Sequence, residues 1–253
     1  MKVRIDKLLV DRGVASSRER AQAMVLAGRV LVGNQKIEKA GASVDENAEI
    51  RLLGEDLKYV SRGGLKLEAA LAHWRIDLTG RTCMDVGTST GGFTDCMLQH
   101  GAREVIAIDT GYGQIAQRLR SDARVKLLER TNARYLTAEI LRSVAARNGI
   151  SFLAIDVSFI SVTLILPAVL HSAFGQPALC GRDLVILVKP QFEVGRKLVG
   201  KGGIVRDEQA QQSAVTKVWE AVSELAGRNL DVIDSPILGA EGNREFLLHA
   251  EFS

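Results

Sequence analysis

The stretch Thr82-Cys-Met-Asp-Val-Gly-Thr-Ser-Thr-Gly-Gly-Phe-Thr-Asp95, followed by Glu104-Val-Ile-Ala-Ile-Asp-Thr110, restricts the possible folds of this chain more than any other. A short apolar run ends at Asp85, breaks into glycines, re-enters a helix-like stretch to Gly101, and is followed by a second apolar run ending at Asp109. Two parallel strands joined by a helix account for that order. Such a unit sets the glycine loop against a ligand and lets the second acid accept hydrogen bonds from ribose hydroxyls. The loop lacks the Gly-Lys-Ser/Thr ending of a phosphate-cradling loop and the G-x-G-x-x-G of a pyrophosphate-binding one. The spacing Gly87-x-x-x-Gly91-Gly92 instead suits close backbone approach to a small charged nucleoside such as S-adenosylmethionine. Gly87, Thr88, Ser89, Thr90, Gly91, Gly92 and Phe93 are then the expected cofactor loop, with Asp85 facing a cationic group and Asp109 and Thr110 at the ribose.

The pattern continues downstream. Strands are expected at Val125-Lys-Leu-Leu-Glu129, Phe152-Leu-Ala-Ile-Asp156, Leu184-Val-Ile-Leu-Val-Lys189, Leu230-Asp-Val-Ile233 and Glu245-Phe-Leu-Leu-His-Ala-Glu251, with helices between them, one running from Glu208 to Ala226. This alternation predicts an α/β fold, a mostly parallel sheet covered on both faces, with ligands at the carboxyl ends of the strands. At 253 residues and 46% hydrophobic content, the chain can bury one large core and one small appendage. Cys83, Cys96 and Cys180 are odd in number, far apart and without a C-x-x-C pair, so disulfide, zinc and iron–sulfur readings fall and no metal is expected. Met1-Lys-Val-Arg-Ile-Asp6 lacks the apolar core of a signal peptide, and no apolar run approaches the roughly 20 residues of a membrane span. A cytoplasmic location is therefore expected.

Residues 1 to about 60 follow a different pattern. A short helix over Arg4–Gly13 has Ile5, Leu8 and Leu9 as its apolar face, and a second over Ser16–Gly28 has a serine cap and Ala21, Met24 and Val25 on one side. Short hairpin strands follow at Val30-Leu-Val32, Lys36-Ile37 and Glu49–Leu53, with Gly33-Asn34 as a turn. Net charge is only +3, so nucleic-acid affinity would come from local clustering: Arg4, Lys7, Arg18, Arg20, Arg29, Lys36 and Lys39 outnumber the acids of the first forty residues. Along its length this segment resembles the S4 RNA-binding domain, an α+β module, through R-I-D-K-L-L-V-D-R-G and S-R-E-R-A-Q-A-M-V-L-A-G-R-V-L-V-G-N-Q-K. The resemblance implies RNA contacts by Arg4, Lys7, Arg18, Arg20, Arg29 and Lys36, with Arg18 and Arg20 at phosphates. Residues 61–64 would be a linker leading into a helix over Leu65–Leu71, and 65–253 the larger domain.

Several strands end in residues that can act: Asp85, Asp109, Asp156 and Lys189, Asp156 also being a possible helix cap. Enzymes that methylate exocyclic amines use a D/N-P-P-aromatic turn, whereas Asp156-Val-Ser-Phe159 has no proline, which favours a hydroxyl or ring carbon as target. The absence of a cysteine nucleophile beside proline argues against the carbon-5 pyrimidine option. Beyond Val188-Lys-Pro-Gln-Phe-Glu193, the Gly-, Lys- and Arg-rich segment Gly195–Asp207 reads as a mobile phosphate-binding flap or a solvated surface loop.

Tyr59-V-S-R-G-G-L-K-L67, D-V-G-T-S-T-G-G-F-T-D, D-T-G-Y-G-Q, L-E-R-T-N-A-R, D-V-S-F-I-S, L-V-K-P-Q-F-E-V-G and G-N-R-E-F together resemble the TlyA family over nearly the whole chain. That resemblance implies an S4-linked, S-adenosylmethionine-dependent rRNA 2′-O-methyltransferase with a Rossmann-like, FtsJ-like catalytic domain on a mostly parallel seven-stranded sheet. Its target would be cytidine ribose at small-subunit helix 44 and, in some members, large-subunit helix 69. The implied partners are ribosomal RNA and ribosomal subunits rather than DNA. Lys66, Asp156, Lys189 and Glu245 are the implied catalytic tetrad, and the cofactor set extends to Asn132 and Asp156. A ribose hydroxyl is a poor acid, so its proton must be removed or shared during transfer. Lys189 is the natural base if burial and the neighbouring Lys66 cation favour its neutral form, an effect that Asp156 and Glu245 oppose while orienting the lysines. Glu193, four residues past Lys189, is a second candidate for the fourth position. Gln176–Arg182 reads as a surface insertion. Two other functions fit parts of the pattern: a haemolysin-like membrane-active protein, which needs an amphipathic or spanning segment, and an RNA-binding module with an inactive cofactor fold, which the intact tetrad opposes.

Overall fold

In the first fifty residues apolar side chains recur at helical spacing, and the helices form there. The computed structural model describes residues 2–15, 17–26, 28–33, 35–52, 58–144, 149–175, 181–239 and 242–253. Two compact units divide the chain, Met1–Leu57 and Lys58–Ser253. In the first, β1 (Lys2–Arg4) leads directly into α1 (Ile5–Asp11), which buries Ile5, Leu8 and Leu9, and α2 (Arg18–Leu26) buries Ala21, Met24 and Val25. Both triplets follow the i, i+3, i+4 rule for one helix face. Ser17 Oγ accepts the Arg20 N–H at 3.2 Å and caps α2; Ser16 lies outside the described residues.

Strands β2 (Val30–Val32), β3 (Gln35–Lys36) and β5 (Ile50–Leu52) make an antiparallel sheet in the order β3-β2-β5, while β4 (Ser43–Asp45) pairs with β1. The β1–β4 pair was not legible in the sequence, because three-residue strands are too short to show an alternation. Of the expected Gly33-Asn34 turn, Gly33 has the positive φ of +59° and Asn34 is outside the described residues, as is Leu53.

In the second unit α3 spans Gly63–His73, so Gly63 and Gly64, expected in a linker, are its first turn. The correction has a packing cause. Tyr59 is fully buried in the core of this unit, a side chain at Gly64 would run into its ring, and Val60 N–H donates to Asp95 Oδ2 at 2.8 Å. The segment is held by the fold on both sides of the expected linker.

The succession continues with β6 (Thr82–Val86), α4 (Gly92–Gln99), β7 (Glu104–Ile108), α5 (Gln117–Arg120), β8 (Val125–Leu128), α6 (Ala138–Arg142), β9 (Phe152–Ile155), α7 (Leu166–Phe174), β10 (Arg182–Val188), α8 (Pro190–Glu193), α9 (Glu208–Glu224), β11 (Arg228–Asp234) and β12 (Phe246–Phe252). The seven strands lie in the order β11-β12-β10-β9-β6-β7-β8. β12 alone runs in the reverse direction, antiparallel to both β10 and β11. Every residue of β6, β7 and β9 is buried, which is the signature of parallel strands covered on both faces. Met84, Val86, Leu153 and Ile155 point to the layer with α7 and α9, and Cys83, Phe152 and Ala154 to the layer with α3 and α4.

This topology brings the chemistry to one edge. Asp109, Asp156 and Lys189 each stand one residue past the end of β7, β9 and β10. Glu245 immediately precedes β12, whose reversed direction places its start at that same edge, Phe246 pairing with Val188. The expected insertion at Gln176–Arg182 lies, except for Gly181 and Arg182, outside the described residues.

Candidate active site

The crossing from β6 into α4 requires backbone that only glycine supplies. Gly87 has φ +89°, and a Cβ there would collide with the backbone carbonyl of Asp156 at the end of β9. Two strand ends can therefore touch beside the loop. At Gly92 a Cβ would meet Ser61 Oγ and the backbone N of Gly64, so the starts of α3 and α4 also come together here. Lys66, one turn into α3, is thereby delivered to the same edge.

A cavity of about 520 Å³ opens at this edge. Its wall includes Gly87, Thr88, Ser89, Thr90, Gly92 and Phe93 from the glycine loop, and Lys66, Asp156, Lys189 and Glu245 from four different elements. Lys66 and Glu245 form an ion pair with side chains only 10% and 2% exposed, and Gly239 packs directly on the Glu245 carboxylate. Lys189 Nζ lies 2.6 Å from Asp156 Oδ1 and donates a hydrogen bond to Ser158 Oγ at 2.9 Å. Two lysine–carboxylate pairs thus share one cavity.

Five expected cofactor positions, Asp85, Gly91, Asp109, Thr110 and Asn132, do not line the cavity. Asp85 is fully buried: its Oδ2 accepts both the N–H and the hydroxyl of Thr94 at 3.0 and 2.6 Å, in the first turn of α4, and among the described residues its Oδ1 has no partner. It fastens the helix to the strand. Burial pushes its carboxyl up to about 7, with Asp156 and Asp109 adding to the rise and the Thr94 hydrogen bonds opposing it. Asp109 accepts the backbone N–H of Ser89 and of Gly111, both at 2.7 Å, and so holds the tip of the glycine loop. Asn132 caps a 3₁₀ turn by accepting the Arg134 N–H at 3.0 Å; Thr110 is exposed.

Glu193, the second candidate for the tetrad's fourth position, is engaged elsewhere. Its carboxylate accepts Val162 N–H at 2.7 Å and Ser161 Oγ at 2.5 Å and pairs with Lys217 at 3.2 Å. The segment Gly195–Asp207 reaches the cavity through Val199 and Gly203 and is anchored by buried Asn243, which donates to Gly203 O at 3.0 Å and accepts from Val205 N at 3.1 Å.

The sequence reading missed Ser158 and the aromatic pair Phe159 and Phe192. Phe159 is 93% exposed at a φ of +67°, with its ring 5.4 Å from that of Phe192, and both line the cavity. A large aromatic without a proline in D-V-S-F was the available signal, and no rule of spacing turns it into an exposed ring. In the smaller unit Arg4 and Arg18 both donate to the buried carboxylate of Asp6, as does Gln22, and Arg20 and Arg29 have partners of their own. Lys7 and Lys36 are exposed.

The wall suits a nucleoside-sized cationic ligand. Its volume falls in the roughly 300–1,000 Å³ of small-molecule sites, glycines clear its floor, and carboxylates rather than a phosphate-binding lysine loop adjoin it. Fold and site together define a Rossmann-like methyltransferase. The FtsJ-like methyltransferase family matches residues 59–252 and the S4 domain matches residues 3–50. The chain belongs to the FtsJ-like methyltransferase family, with an S4 domain at its N-terminal end. A Bacillus subtilis relative, YqxC, described as a candidate rRNA methyltransferase, is 44% identical over 251 residues, 98% of this chain and 85% of that one. The 16S/23S rRNA (cytidine-2′-O)-methyltransferase TlyA of Mycobacterium tuberculosis is 42% identical over 248 residues, 98% of this chain and 89% of that one. A solved Streptococcus thermophilus structure, described as a candidate hemolysin, is 41% identical with a TM-score of 0.72, covering all of this chain and 89% of that one.

Proposed function

We propose that this protein transfers a methyl group from S-adenosylmethionine to a cytidine ribose 2′-hydroxyl of ribosomal RNA, acting in the cytoplasm on the RNA or on a ribosomal subunit. The observation that carries this reading is the pair of lysine–carboxylate contacts, Lys66–Glu245 and Lys189–Asp156, on one cavity wall beside the glycine loop. The relatives' names and the S4 domain support RNA as the substrate class.

The cofactor, when bound, supplies an electrophilic methyl group. The residues that would hold it are Gly87–Thr90, Gly92 and Phe93, with Asp109 holding the tip of that loop through the Ser89 N–H. Lys189 Nζ takes or shares the proton of the ribose O2′, and Asp156 stabilises the charge that then rests on the lysine. Lys66, tied by Glu245, keeps a positive charge in place where oxygen becomes more negative. Phe159 and Phe192 present an open aromatic surface on which an unstacked base can lie, the usual manner of reading single-stranded RNA. Among the described residues no helix is long and apolar enough to cross a membrane, and a membrane-active role would leave this cavity without a use.

Incubation with tritiated cofactor and rRNA or isolated subunits, followed by digestion to nucleosides, tests the reading. Label in 2′-O-methylcytidine is the expected result, with no transfer to RNA carrying a 2′-deoxy nucleotide at the target position. Label in a base-methylated nucleoside, or transfer to the deoxy substrate at the normal rate, would overturn it.

A further inference from the structure

Lys189 Nζ is only 2.6 Å from Asp156 Oδ1, yet among the described residues that oxygen has no hydrogen-bond partner, so the ion pair is close but out of line. Among the described residues, the one hydrogen bond made by Lys189 Nζ goes to Ser158 Oγ, at 2.9 Å. The two contacts do different things. An ion pair fixes where a charge sits and leaves the amino group free to rotate about Cε–Nζ. A hydrogen bond is directional, preferring N–H···O angles above about 150°, so it aims one N–H and thereby fixes the remaining tetrahedral positions. We propose that Ser158 is the positioning residue that sets the rotation of the Lys189 amino group, so that one of its two remaining positions, the lone pair once the amine is neutral, faces the ribose hydroxyl in the cavity. This rests on the reading of Lys189 as the proton acceptor.

The turn that carries Ser158 is held at both ends. Asp156 N–H donates to Val86 O at 2.8 Å on one side. On the other, the buried Glu193 carboxylate takes Val162 N–H and Ser161 Oγ, and Lys217 Nζ reaches both Ser161 Oγ at 3.1 Å and the Glu193 carbonyl at 2.9 Å. Glu193 lies four residues beyond Lys189, so one carboxylate joins the segment after Lys189 to the turn bearing its hydrogen-bond acceptor. Between those ends Phe159 holds a left-handed φ of +67°, unfavourable for a bulky side chain and persisting only where the surroundings fix it. Ser158 itself lines the cavity and is exposed, so its hydroxyl is not needed for packing.

The test compares S158A and S158T in the full chain. In S158A, kcat should fall roughly 10- to 100-fold, the rate equivalent of one charge-assisted hydrogen bond, while KM for the cofactor and affinity for rRNA stay within about twofold. S158T retains an Oγ and should recover most of the lost rate. A second readout needs no cofactor: the Lys189 side-chain ammonium resonance, assigned by its loss in K189R, should be protected from solvent exchange in the parent and S158T and broadened in S158A. A parent-like kcat and resonance in S158A would overturn the assignment, as would an S158T as slow as S158A. If the parent methylates a base instead, the reading of the target fails, and the Lys189 resonance still decides whether Ser158 orients this lysine.

Discussion

The two lysines of the cavity stand in different surroundings, and removing each should have a different effect. Lys66 and Glu245 are almost wholly enclosed, so Lys66→Ala leaves a buried carboxylate without its counter-charge. Breaking a buried pair from one side costs about 3–5 kcal/mol, and a large drop in thermal midpoint should accompany loss of transfer. Lys189 is enclosed much as Lys66 is, but its partner Asp156 is more open than Glu245, at 22% side-chain exposure against 2%. Lys189→Ala should keep its thermal midpoint within a few degrees, retain cofactor and RNA binding, and lose turnover by the roughly 10²–10⁴-fold of a general base; near-parental turnover would move the catalytic assignment elsewhere. Asp85 governs a third response. Its carboxyl is raised to about 7, chiefly by burial, so the folded protein holds that proton more tightly than the unfolded chain, where an aspartate titrates near about 4. The stability it contributes is therefore complete below about pH 4 and lost as pH rises through about 7, by a few kcal/mol at roughly 1.4 kcal/mol per unit. In Asp85→Asn the thermal midpoint should decline less between pH 5 and pH 8 than in the parent, and parallel curves for the two proteins would refute this.

At the level of elements, the position of the site depends on how closely β6 and β9 approach. Gly87→Ala adds a Cβ against the Asp156 carbonyl, which is backbone and cannot rotate away, at a φ that alanine resists. The ends of β6 and β9 must then part, taking Asp156 with them; loss of at least tenfold in cofactor affinity by calorimetry, with a lowered thermal midpoint, is the expected outcome. The long elements were readable because their periodicity is strong. Strands expected at Phe152–Asp156 and Leu184–Lys189 form at Phe152–Ile155 and Arg182–Val188, and the helix expected over Glu208–Ala226 runs Glu208–Glu224, started by Asp207 accepting the Gln209 N–H at 2.9 Å. Asp156 and Lys189 could thus be placed at strand ends from the run lengths alone, whereas their pairing with each other depends on β9 and β10 being neighbours, which local patterns do not encode. Asp85 poses a related problem. An acid near a strand end looks the same in sequence whether it faces a ligand or binds the next helix, and only the Thr94 contacts distinguish the two. The expected linker at 61–64 concealed a helix start because Gly63-Gly64 reads locally as a breaker, while the buried Tyr59 ring requires glycine at position 64.

The whole molecule joins a small S4 unit to a catalytic one, and the two should separate in function. The Lys58–Ser253 unit contains the complete cavity and both core layers, so as an isolated fragment it should bind the cofactor with nearly full affinity and lose most of its affinity for rRNA. The cations that carry RNA binding in the smaller unit must be chosen with its packing in view. Arg4 and Arg18 converge on Asp6, which is fully buried and whose carboxyl is held far below the ordinary range, chiefly by Arg4, against the effect of burial. Arg18→Glu would therefore set a like charge beside Asp6 and disturb the fold, confounding any loss of binding. Lys7 and Lys36 are exposed and, among the described residues, form no ion pair. Lys7→Glu with Lys36→Glu should leave the thermal midpoint nearly unchanged while weakening rRNA binding. Each lost phosphate contact releases about one fewer counterion, so the slope of log affinity against log salt should become shallower by about one to two units. Parental affinity and slope in the double variant, measured by filter binding between about 50 and 200 mM salt, would show that these lysines do not meet phosphate, and would place the RNA-binding face of the smaller unit elsewhere.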